Sequence, residues 1–461
     1  MARSLGRVLR LVAKPSVVVA DVGLLDVCMY RLDVCIIVLD KTWPRLDILS
    51  LMAAGTDKFQ KATEVARVFT PAAPVSEADL FAGRMYQLRK VIDTIIQRGQ
   101  HAVIFGERGV GKTSLANVLA SRLIFPEKKV LAPKVNCESA DTFVTMWKKV
   151  FSQLDLITRT PTIGFQYTFF EETKKAADVI GDNIDPDGVR RLLSILGDTG
   201  VLLVIFDEFD RLENQEAKRA LADTIKALSD NSVNATILLV GVADSVSGLI
   251  AEHQSIERAL VQIQMPRMSE SELGEILDKG ANKLSMKFGP GARKQIVCLS
   301  RGLPHYTHSV GLHAARCAIS RDQQNITEAH VEEAVKTALE EINLSLRTAY
   351  DKATFSPRTD TIYAEVLMAC ALAPAGDFGY FTPAAVRDPL TAIMGKRYEI
   401  PGFARHLKDF SEPERGTVLK KAGVKRKFRF RFTNPLMQPF VVMKGVASGR
   451  ITNSILGKFG E

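Results

Sequence analysis

The chain predicts an α/β protein built on a doubly wound parallel sheet of the P-loop type, followed by a helical lid and a basic winged-helix domain. Three observations carry this. A glycine-rich turn, Gly106-Glu107-Arg108-Gly109-Val110-Gly111-Lys112-Thr113-Ser114, sits between the apolar run His101-Ala102-Val103-Ile104-Phe105 and a helical pattern over 113–123. Farther on, Val201-Leu202-Leu203-Val204-Ile205-Phe206 is apolar without alternation, as expected for a parallel strand buried on both faces, and it ends in Asp207-Glu208. Beyond Pro266 helical patterns replace strands, and toward the end of the chain phenylalanine alternates with arginine.

At 461 residues the chain is too long for one ordinary core, so two or three domains are expected. The six cysteines lie scattered, without the paired spacing near histidines that zinc requires, and read as reduced residues of a cytoplasmic protein. No apolar run reaches the roughly 18 residues that span a bilayer. In residues 1–51, Arg3, Arg7, Arg10 and Lys14 precede any acid, as in targeting peptides, but Asp21, Asp26, Asp33 and Asp40 then interrupt every apolar run. Met52 opens the part whose pattern is self-consistent. Residues 1–51 therefore read as an N-terminal extension and Met52 as a candidate start.

In the span 75–265, strand and amphipathic helix alternate: a strand over 129–137, a helix over 141–154, the apolar strand before Asp207, a helix over 213–229 and a last buried run over 236–243 that ends at Asp244-Ser245. The span 158–184 is irregular and reads as an insertion. In the helical lid, 266–354, Ser269 with Glu272 forms a capping box, and further helices are expected near 295–299, over 306–319 and over 327–354, with no strand between them.

The chemistry follows from residue types. Glycines let successive backbone N–H groups turn inward around phosphates, Lys112 reaches the β/γ oxygens, Thr113 and Asp207 can hold Mg²⁺, and the helix N-terminus faces the same charge. The chain is thus expected to bind a nucleoside triphosphate. Glu208 stands where a carboxylate can polarise the attacking water. Without the glycine-rich loop, Asp207-Glu208 would read as a solvated acidic turn. Asp244 at a strand tip could sense a γ-phosphate or merely cap a turn, since Asp and Ser favour both.

In the last domain, 355–448, helical patterns around Ile362 to Cys370, over 382–393 and over 401–410 precede a strand over 417–419 and the run from Lys420 to Phe432. Alternation sends Phe428, Phe430 and Phe432 to one face and Arg429 and Arg431 to the other. Residues 401–461 hold 13 Lys plus Arg against four acids, which equals the formal net charge of the whole chain, +9. A basic terminal domain on an otherwise neutral chain points to a polyanion, and double-stranded DNA is the expected partner. A third helix in the major groove would offer Arg405, His406 and Lys408, while Lys425, Arg426, Lys427, Arg429 and Arg431 of the wing would meet phosphates. Other winged helices bind only proteins, and basic hairpins are often merely solvated.

Glycine-rich loop, acidic pair, polar strand tip and helical lid in this order resemble the AAA+ ATPases, and in particular their origin-recognition-like branch. Leu80-Phe81-Ala82-Gly83-Arg84, Val135-Asn136-Cys137, Asp207-Glu208 and the C-terminal pattern carry the resemblance, which covers about residues 75–445. It implies ATP with Mg²⁺, slow hydrolysis that depends on assembly, and a homo-oligomer or partner ATPase subunit. Arg258 matches an arginine finger that completes a neighbouring subunit's site; its plainer reading is a surface arginine. Asp244 matches sensor 1, where Asn or Thr is more usual. Ser300 to His305 matches the sensor 2 region, but His305 stands where arginine is common, which leaves Arg301 as a substitute. A signalling ATPase of the STAND type, with a winged helix that binds protein, and a nucleotide binder with negligible turnover are the alternatives.

Overall fold

The computed structural model describes residues 10–12, 16–19, 28–31, 34–37, 58, 60–74, 79–123, 129–161, 169–180, 183–242, 254–357, 361–424 and 427–460, in two compact units, 1–64 and 65–461. The shorter unit holds strands β1 (Arg10–Val12), β2 (Ser16–Val19), β3 (Cys28–Arg31) and β4 (Val34–Ile37). They pair in the order β1-β2-β4-β3, with β2 and β4 parallel and the outer pairs antiparallel. Apolar stretches in the region read above as an extension thus form a sheet of their own.

In the larger unit the apolar runs become a parallel sheet: β5 (His101–Gly106), β6 (Val130–Leu131), β7 (Lys134–Asn136), β10 (Val201–Asp207), β11 (Ala235–Gly241) and β12 (Leu260–Met265). The order is β12-β5-β11-β10, with β6 and then β7 pairing on the far side of β10. Side chains alternate between two cores. Ile104, Leu203, Ile205 and Leu238 join one cluster, and Val103, Leu202, Val204 and Leu239 the other. Helices α1 (Met85–Ile96) and α2 (Lys112–Arg122) cover the first face, with Val91, Ile95, Leu115 and Leu119 buried there. Helices α3 (Phe143–Phe151), α4 (Pro186–Gly197) and α5 (Gln215–Asp230) cover the second, where Trp147 is fully buried against Phe151 and Phe206. The span expected as an irregular insertion contains an antiparallel hairpin, β8 (Asp155–Pro161) with β9 (Phe169–Lys175). Its first strand places Leu156 and Ile157 side by side, so no period of two marks it in the sequence.

The lid comprises α6 (Glu270–Lys283), α7 (Pro290–Ser300), α8 (Pro304–Ser320), α9 (Glu328–Glu341) and α10 (Leu344–Thr354). Two expectations are corrected here. The helix expected over 327–354 is broken at Asn343, whose side chain accepts from Ser345 N and caps α10. Two short strands, β13 (Lys287–Phe288) and β14 (Asn325–Ile326), pair in parallel between lid helices.

Next come α11 (Tyr363–Leu372), α12 (Pro383–Met394), α13 (Ile400–Asp409) and an antiparallel hairpin of β15 (Leu419–Ala422) and β16 (Arg429–Phe432). Phe381 adds a bridge to Phe430. Phe430 and Phe432 are buried and Phe428 half-buried, as alternation requires. Two helices not anticipated in the sequence follow: α14 (Met437–Ala447), buried over most of its length, and α15 (Asn453–Phe459). One continuous hydrophobic core runs from the first face of the sheet through the lid into α11 and α14.

Candidate nucleotide site

Strands β5 and β10 are parallel and flank β11, and their carboxyl ends deliver the functional residues to one edge of the sheet. The loop after β5 needs its glycines: Gly109 has φ 88° and Gly111 φ 94°, in the left-handed region. Lys112 opens α2 and curls back, Nζ donating to the carbonyls of Gly106 (3.1 Å) and Glu107 (2.7 Å). Burial lowers the pKa of its ammonium, while Asp210, Asp207 and Glu107 act in the opposite sense. Thr113 Oγ1 donates to Asp207 Oδ1 over 3.3 Å. Asp207 is 1% exposed.

Glu208 takes a left-handed backbone, φ 54°, with its N–H on Asp207 Oδ1 at 2.9 Å. Its carboxylate pairs with Arg211, Oε2 to Nη1 2.8 Å. A cavity of about 890 Å³ spans the loop, Asp207, Glu208, the segment 70–74 and the lid residues Ile276, Pro304, His305 and His308. That volume suits a nucleotide-sized ligand.

Two oxygen donors meet beside the loop, the Thr113 hydroxyl and the Asp207 carboxylate, a set that fits a hard divalent cation. Among the described residues no group of three or more His, Cys, Asp or Glu forms a metal cage. A divalent cation such as Mg²⁺ bound beside a nucleotide would be held by Thr113 and Asp207.

Of the remaining expected residues, Gly106 ends β5, Glu107, Arg108 and Val110 lie in the loop, and Ser114 lies in the first turn of α2. Glu107 is turned outward to the lid, its carboxylate on Arg267 Nε at 2.7 Å. Arg258 is exposed on the 3-10 turn Gln254–Ala259 before β12, and it is absent from this chain's cavity lining. Arg301, expected near phosphate, donates from Nη1 to Phe459 O (2.6 Å) of α15 and is not among the residues that line this cavity. His305 instead lines the cavity, with Nδ1 2.8 Å from Pro71 O. Asp244, Lys425 and Arg426 lie outside the described residues.

In the C-terminal domain Arg405, Lys408, Lys427 and Arg429 are exposed and Arg431 is half-buried. Arg429 and Arg431 both stack on the Tyr380 ring at 5.0 Å. His406 does not join the exposed set, because its ring packs on Tyr363, centroids 4.5 Å apart.

The contacts of two residues in or beside the site were not anticipated in the sequence. Arg84 is buried, and its guanidinium donates to Val110 O (3.0 Å) in the loop and Pro266 O (2.7 Å) at the start of the lid. Lys134 reaches Asp207 from the neighbouring strand, Nζ to Oδ2 2.9 Å. Only the Gly83-Arg84 pair left a signal, as a turn followed by a helix.

A glycine-rich loop joining a parallel strand to a helix, with an acidic pair on a nearby strand, defines a P-loop fold. Residues 95–249 match the family described as AAA domain. No curated protein matches the chain. Among solved structures it is similar to the Orc2 protein of Aeropyrum pernix in its ADPNP–ADP complexes, at 16% identity over 85% of this chain and 98% of that one, TM-score 0.47. It is also similar to Cdc6p from Pyrobaculum aerophilum, at 12% identity over 84% and 99%, TM-score 0.41. A Walker-type ATPase of Pyrococcus abyssi gives 17% identity over 81% and 99%, TM-score 0.44.

Proposed function

We propose that the chain is a cytoplasmic ATPase that binds ATP with Mg²⁺ in this cavity and couples nucleotide state to double-stranded DNA through a C-terminal winged helix. The observation that carries the reading is the convergence of Lys112, Thr113, Asp207 and Glu208 on one cavity at the strands' carboxyl ends. Mg²⁺, when bound, offsets charge on the phosphates. Lys112 swings from the loop carbonyls to the β/γ oxygens, Arg84 fixes the loop against the lid, and Glu208, released from Arg211, orients water for in-line attack. Exposed Arg258 suits a role in a neighbouring copy's or partner subunit's site, and hydrolysis is then slow until assembly. The exposed Arg405, Lys408, Lys427 and Arg429, with Lys425, Arg426 and Arg431, would meet DNA phosphates.

One observation favours the second reading, a STAND-like switch. The C-terminal domain sits on the phosphate loop itself: a Cβ at Gly109 would stand 3.2 Å from Leu436, and Tyr306 donates its hydroxyl to Leu436 O (2.7 Å). In such a switch, exchange of nucleotide matters more than turnover.

Equilibrium binding of a fluorescent ATP analogue tests the shared core of both. Lys112→Ala is expected to lose binding, whereas Glu208→Gln should bind and retain ATP. Wild-type turnover in Glu208→Gln would remove Glu208 from the mechanism.

A further inference from the structure

The carboxylate of Asp207 already has a cation of the protein's own. Lys134 lies on β7, whose register against β10 sets Lys134 beside Ile205 and Asn136 beside Asp207. Its side chain therefore runs along the strand to the tip, where Nζ meets Asp207 Oδ2 at 2.9 Å and Asn117 Oδ1 of α2 at 2.7 Å. The Gln153 side chain ties the Lys134 backbone at both its N–H (3.1 Å) and its carbonyl (2.9 Å). The other Asp207 oxygen accepts from Thr113 and from the Glu208 N–H. Both partners are withdrawn from water, the side chains being 18% and 2% exposed, so solvent screens the pair weakly. Lys112, the other nearby ammonium, is turned onto loop carbonyls.

We propose that Lys134 is a resident counter-ion for the metal-binding carboxylate. It keeps Asp207 neutralised when no divalent cation is present, so that the phosphates of a nucleotide never face a bare carboxylate. The inference rests on the ATP-binding reading above. It has a consequence of mixed sign: Lys134 supports nucleotide binding without metal, and it competes with the metal for Asp207.

The test measures affinity of the full-length protein for a fluorescent, non-hydrolysable ATP analogue in Mg²⁺ and in EDTA, and Mn²⁺ binding to the nucleotide-loaded protein by electron paramagnetic resonance. Wild type should lose little affinity in EDTA. Lys134→Gln should weaken EDTA binding roughly tenfold or more while tightening Mn²⁺. Asp207→Asn, which leaves Lys134 uncompensated, should bind in EDTA more tightly than wild type, and Lys134→Met with Asp207→Asn should return to the wild-type EDTA value. A Lys134→Gln protein that weakens equally in both conditions, or in neither, overturns the proposal, as does Asp207→Asn with no gain in EDTA. Wild type that binds in neither condition overturns the ATP reading instead, so the two failures are separable.

Discussion

Glu208 holds φ 54° without being a glycine, a conformation that costs about 1–3 kcal/mol unless its surroundings over-determine it. Here its N–H on Asp207 and its carboxylate on Arg211 do so. Two histidines of the same unit give residue-scale chemistry that can be titrated. His101 in β5 and His308 in α8 are both pushed down to about 4, chiefly by burial. Each binds its proton less readily folded than unfolded, so its stabilising contribution is complete above the ordinary value of 6.5 and is lost as pH falls from 6.5 toward 4. Chemical denaturation at stepped pH should show stability declining across that window, and His308→Asn should shallow the decline. The loop, Asp207 and Glu208 were legible because local pattern specifies them: glycines where φ is positive, and an acid at the end of an unbroken apolar run. Lys134, Arg84 and Arg267 were not, since their roles depend on partners brought close only by the sheet and lid. The contact of Arg301 with Phe459 was hidden for the same reason, as the two lie far apart along the chain.

At the scale of elements, strands buried on both faces announced themselves as continuous apolar runs, and the capping box at Ser269 marked its helix. Hairpin β8–β9 and helices α14 and α15 did not. The hairpin lacks a period of two, and a helix buried on most sides, such as α14, has no apolar stripe to read. Helix α3 shows what packing contributes where pattern is strong. Trp147 is wholly buried between Phe143, Phe151 and Phe206, and Trp147→Ala should destabilise the unit by about 3–5 kcal/mol in urea titration. Because this core lies on the face of the sheet opposite α2, nucleotide affinity under native conditions should change much less.

Across the larger unit, a chain of contacts links the loop with the C-terminal domain. Glu107 of the loop pairs with Arg267, which also bonds Arg301 O and Gln438 of α14, and Gln438 in turn donates to Ala371 O of α11. Phe105 stacks on Phe378 in the same region. These contacts join the loop to the C-terminal domain within one continuous core. If that domain contacts DNA chiefly through phosphates, replacing Lys425, Arg426 and Lys427 together with Gln should weaken binding to every sequence and flatten its salt dependence. The most direct measurement of the coupling is steady-state ATP hydrolysis by the full-length protein, with and without duplex DNA at low salt, with Glu208→Gln as the blank. Stimulation by DNA that the triple replacement abolishes is the expected result. Turnover above the blank that ignores DNA would contradict it and move the weight to a protein-directed switch.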